Sequence, residues 1–189
     1  MDSDLDFKLA LMDQRYTLPK YFGISPRMVT YWKAKVVLPF FDTGKKSKMN
    51  VPQALWVCLI QELSEFGINT TKLAELAKMV WHEPRKKGYF KSKLEKHIAL
   101  LEKQKNVDSS VEVLKSILND PLLLHFHGME INPFTDAVIE CILVDKKPMS
   151  FYYFPKTGEY HIRDGNKAIT EKFLDLINDK AYMCIPLMP

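Results

Sequence analysis

Glycine is scarce in this 189-residue chain, with seven residues, and cysteine scarcer still, with three. So few glycines leave little room for a nucleotide cradle, and neither a phosphate-binding glycine loop, a nucleophile elbow nor an HExxH helix is present. The expectation is a protein that is not an enzyme and needs no cofactor. Cys58, Cys141 and Cys184 stand far apart, form no CxxC pair and are odd in number. That pattern excludes a disulfide framework and reads them as small buried hydrophobes in a reducing compartment. Long apolar runs are missing as well. The longest, AVIECILV at 137–144, falls far short of the roughly 20 residues that span a bilayer, and Met1-Asp-Ser-Asp reads as no secretory leader. A soluble, cytoplasmic protein without a membrane partner is expected.

What the chain does have is apolar and aromatic mass, 47% and 12% of residues, enough to bury one good core or two small ones. Its net charge of +4 is unevenly placed: residues 1–105 carry 19 Lys and Arg against 11 Asp and Glu, while 106–189 carry 8 against 12. Most of the excess lies between Arg15 and Lys48, where Arg15, Lys20, Arg27, Lys33, Lys35, Lys45, Lys46 and Lys48 face the single acid Asp42. A second basic run, Arg85-Lys86-Lys87 with Lys91, Lys93 and Lys96, follows. Two basic clusters beside an acidic second half fit a polyanion-binding module joined to something else.

Helix signals dominate the first two thirds. Leu5, Leu9 and Met12 recur at helical spacing. Thr17 offers a cap for a brief helix containing Pro19 and stopped by Gly23. Ser25 then caps a helix from Pro26 to about Ala34, with proline in its first position. Helix, Gly-Ile-Ser turn and helix make the helix-turn-helix pattern. On the second helix one of Tyr31 and Trp32 should be buried, and Trp32 is the expected one. Val36 to Phe41 reads as extended and Asp42 to Lys46 as a charged turn, together a short hairpin, or wing. Asn50 with Pro52 opens a helix carrying Leu55, Leu59, Leu63 and Phe66, and Gly67 closes it. Asn69 or Thr70 opens the next, which Trp81-His82-Glu83-Pro84 is expected to break. Residues 89–104 and a stretch after Asp108-Ser109 form two more helices. After Asp120-Pro121 the runs at 137–144, 149–154 and 159–163 suggest strands, the first equally a buried helix, with a turn at Pro155–Gly158, a helix over 168–177 and a last strand at 181–187. The expected fold class is α+β, divided into a winged helix-turn-helix at 1–84, a helical connector at 85–120 and a small α+β domain at 121–189.

The stretch LPKYFGISPRMVTYWKAKVVLP resembles the opening of the MerR-type winged-helix regulators, with a leucine-lysine pair before a Gly-Val-Ser turn, an arginine, paired aromatics and a later leucine and proline. Leu18, Lys20, Gly23, Ile24, Ser25, Arg27, Val29, Tyr31, Trp32, Leu38 and Pro39 stand at the matching positions. A second signature, a helix ending L-x-x-x-G-[FI]-[ST], is met by Leu63, Gly67, Ile68 and Asn69. The resemblance covers about a third of the chain. It departs at Thr30, where arginine is usual, at Lys33, which replaces an acid, and at Lys48 and Met49, which replace the wing arginine and tyrosine. It implies a sequence-specific regulator that binds double-stranded DNA. Lys20, Ser25, Arg27, Thr30, Tyr31 and Lys33 would lie on or beside a recognition helix, and Lys45, Lys46 and Lys48 on the wing. Cations that neutralise phosphates and release counterions are what such a surface requires. An excisionase-like or architectural DNA-binding factor, or a winged-helix adaptor for proteins, is the alternative.

Other features offer less. His125-x-His127 lacks a third metal ligand at useful spacing. The apolar stripe Phe90, Leu94, Ile98, Leu101 serves equally as a homodimer seam within 89–118 or as the lid of a local core. Phe151 to Phe154 could line a pocket for an effector, a small molecule or a protein, in the C-terminal domain, although strand alternation alone puts two of the four rings in the core.

Overall fold

The computed structural model describes residues 5–15, 17–41, 48–103, 109–144, 146–164 and 169–188. Among them, ten α-helices and three strands follow in order: α1 (Leu5–Asp13), a 3-10 turn (Pro19–Phe22), α2 (Pro26–Ala34), α3 (Val51–Glu65), α4 (Thr70–Ala77), α5 (Glu83–Lys86), α6 (Tyr89–Lys103), α7 (Ser109–Asn119), α8 (Pro121–Glu130), α9 (Pro133–Ala137), β1 (Met149–Tyr153), β2 (Tyr160–Asp164), α10 (Glu171–Asp179) and β3 (Met183–Met188). The chain is mainly helical with a small antiparallel sheet, an α+β protein.

Capping chemistry explains most of the helix starts. Ser25, Asn50, Asn69, Asp120, Asn132 and Thr170 each accept a backbone N–H of the first turn. Pro26, Pro52, Pro121 and Pro133 occupy first-turn positions, where a missing N–H costs nothing. Asn50 does more than cap. Its amide Nδ2 donates to the carbonyl of Met12 at 3.0 Å, so the start of α3 is fastened to the end of α1. No helix among the described residues is long and apolar enough to cross a membrane.

One segment settles an alternative that the sequence left open, and two depart from the sequence reading. Residues 137–144 are helical: α9 begins at an Asn132–Thr135 capping box and continues as a π turn through Val138–Val144. Val138, Ile139 and Cys141 are all buried, so the run lacks the alternation of a half-exposed strand and takes the conformation its upstream cap starts. Trp81 to Pro84 does not break α4. The helix widens into a π turn at Lys78–His82, with the Glu83 N–H reaching back to the Lys78 carbonyl, and Pro84 falls in the first turn of α5. Widening the turn lets a proline follow without clashing with the preceding turn. Thr17, expected as a cap, is not one: Leu18 holds that position, with no side-chain bond, and Thr17 instead pairs with Met49.

The sheet has the order β2-β1-β3, all antiparallel. Phe154 accepts from the N–H groups of Thr157 and Gly158 to close the β1–β2 turn, and Gly158 supplies the positive φ of 76° that this turn requires. Phe151 on the central strand lies between Ile162 and Ile185.

Two apolar clusters hold the chain together. In the larger, Trp32, Val37, Leu38, Trp56, Leu63, Leu73, Val80 and Trp81 join Phe134, Val138, Phe151, Tyr153 and Ile185. Residues from the first eighty and from the sheet thus share one interior. The smaller combines Met12, Phe90, Leu94, Ile98, Val111, Leu114, Ile117, Ile131 and Ile139. Phe90, Leu94 and Ile98 are therefore covered by the chain itself, which takes the stripe of α6 as the lid of a local core. Of the cysteines, Cys141 is buried, Cys58 half-buried and Cys184 exposed, so the expectation of three buried thiols fails at Cys184, on an edge strand.

Beside the smaller cluster lies a buried ion network. Lys8 Nζ bonds Asp136 at 2.8 Å and pairs with Glu140, while Asp136 also takes Lys93 and the hydroxyl of Tyr89 at 2.5 Å. Burial alone would lower the pKa of Lys8, but the bonds to Asp136 and Glu140 outweigh it and raise the value. Burial alone would likewise raise Asp136, and the bonds from Lys8, Lys93 and Tyr89 hold it below the ordinary carboxylate range. A depressed acid contributes stability at neutral pH that is lost as pH falls through its folded value, and a raised lysine contributes stability lost only as pH rises through its own. Asp136→Asn leaves Lys8 short of a partner, and we predict a loss of about 3 kcal/mol at pH 7 by urea denaturation. The loss should shrink at pH 3, below the ordinary carboxylate value of 3.8, because the unfolded chain there takes up the proton that the depressed native carboxyl resists; an equal loss at both pH values would contradict it.

Candidate nucleic-acid interface

The basic N-terminal segment is displayed around α2, and its geometry begins at Gly23. That residue takes φ of 73° to close the 3-10 turn, its N–H donating to the Lys20 carbonyl. Two residues later Ser25 Oγ accepts from Met28 N at 3.2 Å, and α2 starts. The helix is held inward by Trp32, 2% exposed, and by Ile24 just before it. With Trp32 as the anchor, the helical period turns Arg27, Thr30 and Tyr31 outward. The expected division between the paired aromatics is observed: Trp32 is buried and Tyr31 is 45% exposed.

The site residues named from the sequence fall into three groups. Arg27 and Lys48 are exposed and make no ion pair among the described residues. Lys20 is exposed with its ammonium 5.1 Å from the centre of the Tyr21 ring. These cations remain available to an outside anion. Ser25, Thr30, Tyr31 and Lys33 carry internal commitments. Ser25 is the cap, Thr30 Oγ1 donates to the Pro26 carbonyl at 3.0 Å, and Tyr31 OH bonds Thr70 Oγ1 at 3.3 Å. Lys33 is half-buried, its ammonium 4.7 Å from the centre of the Phe41 ring. Tyr31 thereby tethers the exposed face of α2 to the start of α4. Lys45 and Lys46 lie outside the described residues.

Residues 36–41 do not form the first arm of a wing. They make successive turns, with Phe41 N–H donating to the Leu38 carbonyl, and Val37, Leu38 and Phe41 are buried. On the return side Met49 pairs with Thr17, its N–H donating to the Thr17 carbonyl at 2.7 Å. The apolar run VVLPFF is spent inward because Pro39 interrupts any ladder and the core beneath α2 needs filling. Two features escaped the sequence reading of the site. Lys35, at the end of α2, is exposed, and so is Tyr21, at 68%. Both adjoin the basic face, and the first was visible in the sequence only as part of a charge run.

The exit of α2 is strained. Val36 N–H donates to the Lys33 carbonyl and Val37 N–H to the Trp32 carbonyl, the paired bonds of a Schellman ending. That ending puts Val36 at φ of 58°, a conformation glycine takes freely and a β-branched residue resists.

Elsewhere the candidate sites have other occupations. Phe151, Tyr153 and Phe154 are buried, and Tyr152 packs against Phe173 and Tyr182, so these rings serve packing. His127 lies against the rings of Phe90 and Phe126, and burial lowers its pKa. Among the described residues no group of three or more His, Cys, Asp or Glu side chains could hold a metal.

Because Val36 is half-exposed and nothing packs its side chain tightly, Val36→Gly should relieve the left-handed strain and raise stability by about 1 kcal/mol. A thermal or urea denaturation comparison tests this, and a destabilised variant would contradict the geometry of the α2 exit. Compared with family models, curated proteins and solved structures, the chain gives no match in any of the three.

Proposed function

We propose that this chain is a sequence-specific, non-enzymatic regulator that binds double-stranded DNA through α2, in the manner of the MerR-type winged-helix proteins its N-terminal third resembles. The observation that carries the reading is the division of α2: one indole buried beneath it, and Arg27, Thr30 and Tyr31 on the opposite, solvent-facing side. No acidic residue stands between Asp13 and Asp42, so the face repels no phosphate from its own stretch of sequence. Arg27, in the first turn, is placed to meet a base edge or a phosphate at the leading end of the helix. Lys20, Lys35 and Lys48 flank it as phosphate-neutralising charges.

In this reading the Tyr31–Thr70 bond keeps α2 and α4 in fixed register, and Ser25 acts through its cap rather than through the nucleic acid. Lys45 and Lys46, outside the described residues, add two further positive charges to this stretch of sequence, and the protein acts in the cytoplasm. A twofold operator would require two copies, for which the region 89–118 offers the outward residues Leu100 and Val113.

Fluorescence anisotropy with a library-selected duplex tests the proposal. Binding is expected to weaken with salt on a log-log slope of about −0.9 per phosphate contact, and Arg27→Ala to cost about tenfold in affinity. Affinity no better than that of a generic basic protein, or an Arg27→Ala variant that binds as tightly as the parent, overturns it. Partners that survive nuclease treatment in the absence of any DNA affinity would favour a protein-binding adaptor instead.

A further inference from the structure

A cavity of about 150 Å³ opens between the linker after α1, the turns after α2, the π turn that follows α4, α5 and α8. Its walls are of two kinds. Phe40 and Trp81 stand on one side with ring centres 4.8 Å apart, and Phe126 from α8 adds a third ring that is 50% exposed. The remaining wall is polar: the cations Arg15 and Arg85, the imidazole of His82, and Glu130 as the one acid.

The bookkeeping of charge in this space is uneven. Glu130 is engaged by Arg15 at 2.5 Å. Burial pushes the Glu130 carboxyl up against the pull of that arginine. Arg85 has no ion pair among the described residues. Burial, and then the charges of Arg85, Lys86 and Lys78, hold His82 below its ordinary pKa and so keep it neutral. One arginine in the wall is therefore left without a counter-charge. Trp81 is 3% exposed, and its indole N–H has no hydrogen-bond partner among the described residues. Buried donors of this kind are rare, and each calls for an acceptor. Trp81 and His82 both ride on a π turn, an irregularity that costs hydrogen-bond geometry and that recurs at binding sites.

From the unpaired Arg85, the Phe40–Trp81 ring pair and the half-exposed Phe126 around one cavity, we infer that this is a binding site for a small aromatic carboxylate. The size fits one six-membered ring, since an apolar cavity of about 150 Å³ holds benzene. The ring packs among Phe40, Trp81 and Phe126, covering aromatic surface that is otherwise left to water. The carboxylate takes the Arg85 guanidinium, whose planar fork matches it, with the ring lying beside Trp81. A cation is disfavoured by the two arginines, and a larger ligand by the volume. Occupancy of this cavity is read directly and does not depend on whether duplex DNA binds.

The test is a titration of the full-length, 15N-labelled protein with benzoate, following the three tryptophan indole N–H resonances, with Trp81→Phe to assign the one of interest. Benzoate should shift the Trp81 signal saturably, with a dissociation constant of about 1 mM, and leave that of Trp56, which already donates to the Val37 carbonyl, in place. Benzamide, the neutral isostere, should bind about tenfold more weakly, and acetate should not shift Trp81 at all. Arg85→Gln should weaken benzoate about tenfold, whereas Glu130→Gln should tighten it by freeing Arg15. The opposite signs separate binding from mere damage to the fold. No saturable shift, equal affinity for benzoate and benzamide, or an Arg85→Gln variant that binds as the parent does would overturn the inference.

Discussion

The indole of Trp56 is the point on which the arrangement turns. Its side chain is fully buried, its N–H donates to the Val37 carbonyl at 3.0 Å, and its ring meets Trp81 edge-on at 5.9 Å and Phe134 at 5.5 Å. One residue thus fixes the exit of α2, the π turn after α4 and the start of α9, and Phe134 carries the chain of rings on to Phe151 in the sheet. An aromatic side chain so placed contributes on the order of 3–5 kcal/mol through burial alone. The hydrogen bond matters for position. It satisfies a carbonyl where α2 has ended and no ladder has begun, which is where a chain would otherwise be free to drift.

This anchoring explains how a nine-residue helix is held in one place. A helix of that length is marginal by itself. Here Ser25 fixes its start, Trp32 its inner face, the Val36 turn its end and the Tyr31–Thr70 bond its outer edge. Charges divide in the same sense. Those inside, Lys8, Asp136 and Glu140, are closed into a network that fastens α1 to α9 and its π turn. Those around α2, Arg27, Lys35 and Lys48, have no ion pair among the described residues. Cations without counter-charge on a held surface cost the fold little and are available to a polyanion.

Legibility in the sequence followed the type of signal. Cap and proline pairs were the clearest: Ser25-Pro26 and Asn50 with Pro52 each mark a helix start in the structure, because the geometry they impose is local, whereas Asp120-Pro121, read only as a change of character, also starts a helix. Burial of Trp32 and exposure of Arg27, Thr30 and Tyr31 were readable from helical period. What the sequence could not carry depended on distant partners. Residues 36–41 look extended, yet they turn inward, with Val37, Leu38 and Phe41 buried in the cluster that holds Trp56 and with Val37 accepting its indole N–H. Residues 137–144 have the composition of a strand and are helical because Asn132 begins a helix upstream. The pairing of Thr17 with Met49 and the meeting of Arg15 with Glu130 join residues far apart in the chain. The cavity by Trp81 had no local signal either, since its walls come from five separate segments.

We propose that the outer face of α2 is where this protein meets duplex DNA. Backbone amide shifts on titrating a duplex into the labelled protein, at low and then moderate salt, test it most directly. The prediction is a contiguous set of perturbations over Gly23 to Lys35 and at Lys48 that fades with salt, with the sheet residues Phe151 and Ile185 unmoved. Perturbations confined to α6–α8 or to the sheet, with α2 silent, would contradict it.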